Sequence, residues 1–191
     1  MALRPELVER IGVRISSRML AAVSAVVAVA ACAALAVAAY GATRSERSLG
    51  SLNHEVLAAI NAYRSEHGLH TLTLADGLDR SASKHSFEMG ADGYFAHDSA
   101  NGEAFWKRIE RYYGGSHSSY WSVGENLLWA APGVSAEQAM KLWIASPEHK
   151  ANLLAPRWRQ IGISAVHVLG APGTYHGLTV TIITTDFGVR R

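Results

Sequence analysis

The chain has 191 residues, 49% of them hydrophobic, with a formal net charge of +2 when histidine is neutral. That is one domain of ordinary size with a short additional segment. The near balance of charge and the lack of a basic cluster exclude an electrostatic nucleic-acid binder, and a single cysteine excludes an intrachain disulfide framework.

The additional segment comes first. Met19 to Tyr40 is a 22-residue run in which Ser24 is the only clearly polar side chain, and Arg4, Arg10, Arg14 and Arg18 precede it. Such a run is long enough to cross a hydrocarbon core about 30 Å thick, and the arginines favour a cytoplasmic amino end, with the rest of the chain exported. The expected organisation is a basic cytoplasmic segment (1–18), a transmembrane anchor or signal peptide (19–40), a linker (41–51) and a folded domain (52–191). The run exceeds the usual apolar region of a signal peptide, which favours the anchor, while Ala36-Val37-Ala38 fits small-x-small cleavage and a secreted product. Val29-Ala30-Ala31-Cys32 is a weaker match to a lipoprotein signal. Setting aside the four arginines and two glutamates before Met19 leaves equal numbers of basic and acidic side chains.

Beyond the polar stretch Gly41 to Ser51, Leu52, Val56, Ala59, Ile60 and Tyr63 fall at helical spacing, and Gly68 supplies a stop. A second helix is expected from Gly77 to Met89, with Asp76 as N-cap and Gly90 and Gly93 closing it. Gly93-Tyr94-Phe95-Ala96-His97-Asp98-Ser99 then sets a histidine in an aromatic loop. A third helix over Ala104 to Tyr113 places Phe105, Ile109 and Tyr112 in register. Trp121 to Ala130 reads as a strand or a turn leading into one. Ser135-Ala136-Glu137-Gln138 is a capping box that starts a helix with Ala139, Leu142 and Trp143 facing inward. Ser146-Pro147 stops that helix, and a short piece follows over Glu148 to Leu154. Ile161 to Leu169 and Leu178 to Phe187, rich in Val, Ile and Thr, read as an antiparallel pair. Helices first and strands last give an α+β fold with helices packed on a small sheet.

Three polar residues in apolar or turn-rich settings are the candidates for chemistry: His97, Glu125 and His149. Glu125 lies between Gly124 and the apolar run Leu127-Leu128-Trp129-Ala130. It is either buried, and then needs hydrogen bonds, an ion pair or a metal, or it faces solvent at the start of a strand. Two imidazoles and a carboxylate on separate elements form a set that can hold a divalent metal or a water, if the fold brings them together. The other histidines read as packed or surface residues, with His85 able to face the same cleft as His97.

The order Asn61-Ala62-Tyr63-Arg64, Gly93-Tyr94-Phe95-Ala96-His97, Gly124-Glu125-Asn126, Trp143, Ser146-Pro147-x-His149-x-x-Asn152-Leu153-Leu154 and Ile161-Gly162 resembles the CAP superfamily of cysteine-rich secretory, antigen 5 and pathogenesis-related proteins. The resemblance spans Leu52 to Phe187 and is strongest to the cysteine-poor bacterial branch. It implies an α-β-α sandwich and a cleft lined by two histidines and acidic residues, in which some members bind a divalent ion. By that resemblance His97 and Glu125 are cleft residues, His149 is similar to the histidine of the bacterial Ser-Pro-x-His motif, and Glu148 is a candidate second acid. His97 and His149 are the expected ligands of a zinc or magnesium ion. Three functions follow as expectations: an envelope protein binding a lipid, sterol-like or envelope-derived ligand; a metal-dependent peptidase-like hydrolase with Glu125 as general base; or a structural envelope protein with a vestigial cleft. The absence of a recognised nucleophile or hydrolase motif favours binding.

Overall fold

The computed structural model of the protein describes residues 46–114 and 118–191. The basic segment 1–18 and the apolar run 19–40 lie outside them, and among the described residues no helix is long and apolar enough to cross a membrane.

In chain order the elements are β1 (Glu46–Ser48), α1 (Gly50–Glu66), β2 (Thr73–Leu74), α2 (Asp76–Asp92), α3 (Phe105–Tyr113), β3 (Trp121–Ala130), α4 (Ala136–Ala145), α5 (Pro147–Leu153), β4 (Gln160–Ala171), a 3-10 turn (Gly173–Tyr175) and β5 (Leu178–Arg190). The sheet runs β1-β4-β5-β3, antiparallel at every step, and β2 pairs in parallel with the start of β4. β3 is therefore a terminal strand.

Helices cover both faces, giving the expected α-β-α sandwich. On β5, Ile183, Phe187 and Val189 join Ile60, Trp143, Leu153 and Trp158 beneath α1, α4 and α5. Ile182 points the other way, with Val166, Val168 and Met89 beneath α2. β5 is covered on both faces, so Thr181, Thr184, Thr185 and Asp186 are buried along with its Val and Ile side chains. The register pairs Glu125 of β3 with Asp186 of β5, so both carboxyls fall on the α2 and α3 side of the sheet.

Several local signals appear as read. Gly68, at φ 69°, is the left-handed residue of a Schellman end: Leu69 N–H donates to Arg64 O and Gly68 N–H to Ser65 O, each at 3.0 Å. Ser135 and Gln138 form both bonds of the capping box. Other expectations are corrected. The linker 41–51 is shorter than expected, because Glu46–Ser48 pairs with β4 as β1 and α1 already begins at Gly50. A polar three-residue edge strand has no apolar face to pack, so its composition resembles a linker. Asp76 is not the N-cap of α2. Ala75 holds that position, and Asp76 and Asp79 lie in the first turn, where carboxylates favour the helix dipole. The Asp79 carboxylate accepts a hydrogen bond from Ile163 N–H at 2.9 Å. Gly90 lies inside α2 rather than at its end, where the bare backbone lets Val168 approach. Leu142 is 50% exposed; the inward positions of α4 are Ala136, Ala139, Met140 and Trp143.

One buried arginine fixes the element that walls the site. Arg64 of α1 donates through Nε to His70 O (2.9 Å) and through Nη1 to Leu153 O (2.6 Å) and Ala155 O (3.2 Å). It thus satisfies carbonyls at the C-terminal end of α5, which helix geometry leaves without partners.

Candidate functional site

Glu125 sits mid-way along β3 with its side chain fully buried. Its oxygens have separate partners. His97, in the loop between α2 and α3, donates through Nδ1–H to Oε1 at 2.8 Å. Arg108 of α3 donates through Nη2 to Oε2, and through Nη1 to His97 O (3.0 Å) and Ser99 Oγ (3.4 Å). Arg108 thus binds both the carboxylate and the loop that presents the histidine. Because Nδ1 of His97 carries the proton given to Glu125, Nε2 of the neutral ring keeps its lone pair. The His97 side chain is 51% exposed, so that nitrogen is the one available to an occupant.

His85 of α2 closes the buried side. Its Nε2–H donates to Ala96 O at 2.9 Å, and Nδ1 is left to accept from Tyr94 O–H at 3.4 Å. Burial and the neighbouring Arg108 push His85 down to about 3, so it is neutral and orients the loop rather than carrying charge.

Beside Glu125, Asp186 is wholly buried, and neither carboxyl oxygen has a protein donor. Burial and the Glu125 charge hold Asp186 well above the usual carboxylate range. Burial also pushes Glu125 up to about 7, against the pull of Arg108. One guanidinium balances one carboxylate, so the second carboxyl retains its proton. Asp186, which lacks the direct bond to Arg108, is the group that keeps it.

The opposite wall comes from the other helical layer. Asn126, one residue along β3, points there and donates to His149 O at 3.1 Å; Asn152 donates to Asn126 Oδ1 at 3.0 Å. Gly124 makes this approach achievable, since a Cβ there would stand 2.7 Å from Asn152 Oδ1 and 2.8 Å from the Trp158 ring. Between the walls lies a cleft of 440 Å³, lined by His97, Phe105, Glu125, Glu148, His149 and Arg157 among others. Burial and His97 both hold His149 below the ordinary histidine value; burial and Arg108 do the same for His97.

His97, Glu125 and His149 therefore line one cleft, but only His97 and Glu125 are bonded to each other. Glu148 lines the rim without joining Glu125. Among the described residues no group of three or more His, Cys, Asp or Glu is arranged to hold a metal ion. The sequence reading missed Arg108 and Asp186. Each leaves a local trace: Arg108 lies on the same helical face as Phe105 and Ile109, and Asp186 is the one charged residue between Leu178 and Val189.

The fold and the two-walled cleft over its terminal strand define an α-β-α domain with a His/Glu site. The model of the cysteine-rich secretory protein (CAP) family matches residues 57–180, and the chain belongs to that family. It is 30% identical over 119 residues to the uncharacterized protein YkwD of Bacillus subtilis, a match covering 62% of this chain and 44% of that protein. The chain thus spans less than half the length of that relative. Among solved structures it is similar to an outer surface protein of Borrelia burgdorferi (TM-score 0.59, 18% identity, 76% of this chain and 98% of that one). It is also similar to an extracellular protein containing an SCP domain from Bacillus anthracis (TM-score 0.56, 24% identity, 74% of this chain and 41% of that one). At those identities the likeness shows the fold.

Proposed function

We propose that this CAP-domain protein acts outside the cytoplasm as a binding module of a bacterial cell envelope, holding a lipid, sterol-like or envelope-derived molecule in or beside the His97–Glu125–His149 cleft. Residues 19–40 anchor it to the membrane, or cleavage near Ala38 releases it. The observation that carries binding over catalysis is the state of Glu125: both its oxygens are engaged, one by Arg108 and one by His97, and its side chain is fully buried. Each oxygen still has a second lone pair, but a general base for hydrolysis must reach the attacking water, and a side chain with no exposed surface does not. The cleft instead offers an apolar lining from Phe105, Ala151 and Ala155 beside fixed polar groups, the usual composition of a small-molecule site. Ala151 is exposed on α5, so Ala151→Trp fills the cleft without disturbing the buried cluster. The full chain, purified from its host envelope and analysed by mass spectrometry of its extract, is expected to retain a bound lipid or envelope fragment. In Ala151→Trp retention is expected to fall at least tenfold. A wild-type chain that retains nothing, or a variant that retains as much, would sink the reading.

A metal is proposed at the same place on a narrower footing. The lone pair on His97 Nε2 and the depressed His149 fit a divalent ion, with remaining positions left to water or the occupant. Imidazole donors favour zinc over magnesium. Zinc at 100 times its dissociation constant is expected to stabilise the full chain by about 2.7 kcal/mol. Ligation requires neutral rings, so the melting shift is expected to be smaller at pH 5.5 than at pH 7.5, and absent in His97→Ala. A shift that survives that substitution places the ion elsewhere.

A further inference from the structure

We propose that Arg157 is the anion-receiving end of the cleft, so that the occupant carries a carboxylate or phosphate group at the end nearest the connection between α5 and β4. This rests on the reading that the cleft takes a ligand. Arg157 lines the cleft, and its guanidinium carbon lies 4.0 Å from the centre of the Trp158 ring. The ring is itself fixed. Trp158 is fully buried, its Nε1–H donates to Asn152 O (3.0 Å) and Oδ1 (3.1 Å), and it stacks against Phe187 at 6.1 Å and 21°. A guanidinium held over a fixed ring is restrained on that side and keeps N–H donors for a planar, two-toothed partner, so less freedom is lost when that partner arrives.

The charge pattern points the same way. The other arginines near the cleft are already engaged: Arg108 by Glu125, Arg64 by the carbonyls after α5, and Arg159 by Pro156 O and Trp158 O. Among the described residues Arg157 has no carboxylate within ion-pair distance and no protein acceptor for its donors. Glu148, the other charged side chain that lines the cleft on that wall, makes no ion pair with it. The same cleft is lined by Phe105, which stands 6.0 Å from the His97 ring on the opposite wall, and by Gly124, Ala151 and Ala155. An occupant that matches this lining is amphiphilic, with an anion on Arg157 and an apolar body against Phe105 and the alanines.

The test is titration calorimetry of the full chain with dodecanoate, dodecyl phosphate and dodecanol, each below its micellar concentration. Both anions are expected to bind at least tenfold tighter than dodecanol. Arg157→Gln, an exposed change that removes the charge, is expected to bring their affinity down to that of the alcohol, while Arg157→Lys retains part of the preference. If only one anion loses affinity in Arg157→Gln, that one names the headgroup. Equal affinities for the three probes, or a preference that survives Arg157→Gln, would overturn the assignment while leaving a cleft ligand in place. No binding of any probe, with Ala151→Trp also without effect on ligand retention, would overturn the cleft reading and this proposal with it.

Discussion

Arg108→Met is expected to destabilise the domain by about 3–5 kcal/mol, the range for removing one member of a buried ion pair. Arg108 is 3% exposed and Glu125 not at all. Methionine replaces the aliphatic stem, so the loss is electrostatic: Glu125 stays buried beside Asp186 with no cation, and His97 O loses its donor. Glu125 escapes by taking up a proton, so the cost should grow as pH rises. Glu125→Gln is expected to cost less, because Asp186 can then release its retained proton and become the counter-ion of Arg108. In the double variant most of the Arg108→Met loss should be recovered. Urea unfolding of the four proteins at pH 7.5 closes the cycle, and a coupling energy near zero would mean that the pair is not the centre of the site.

Asp186→Asn is expected to reshape the dependence of stability on pH. The folded-state value of Asp186 is raised by burial and by Glu125. The folded protein therefore holds its proton through a range in which the unfolded chain has lost it, and stability falls as pH rises from about 4 towards the raised value. The penalty grows by up to about 1.4 kcal/mol per pH unit in that window. Asparagine keeps the shape but has no proton to lose, so the variant should gain on the wild type as pH rises above about 4, until Asp186 ionises in the folded protein. His85, depressed to about 3, contributes the opposite slope, with stability lost as pH falls below the ordinary histidine value. Both proteins carry His85, so it cancels in the difference. A constant difference in unfolding free energy across the range would show that Asp186 is ionised in the folded state.

The fold was readable from the sequence where a local rule carries it. The apolar stripe of α1, the glycine stop at Gly68 and the capping box at Ser135 each depend on spacings of five positions or fewer between successive residues. Leu142 shows the limit of that reading, since helical spacing marks a stripe but not which side of it another helix covers. β1 escaped because its stability comes from β4, more than a hundred residues away. The site divides in the same way. Glu125, His97 and His149 stood out by neighbourhood and by the family's motif order, whereas Arg108 and Asp186 matter through charge balance with a residue on another element. A buried carboxylate implies a partner; only the strand register and the packing of α3 name it.

The measurement closest to the central claim is where a ligand perturbs the backbone. A second apolar groove, between α1 and α4, is lined by Ala59, Tyr63, Met140 and Ile144 and competes for any hydrophobic molecule. Amide chemical shifts of the full chain, recorded during titration with the lipid recovered from it, separate the two. The cleft reading predicts that the shifts concentrate at Gly124, Glu125, Asn126, Ala151 and Asn152, and that Ala151→Trp abolishes them. Shifts confined to Ala59, Tyr63, Met140 and Ile144, unchanged in Ala151→Trp, would contradict it.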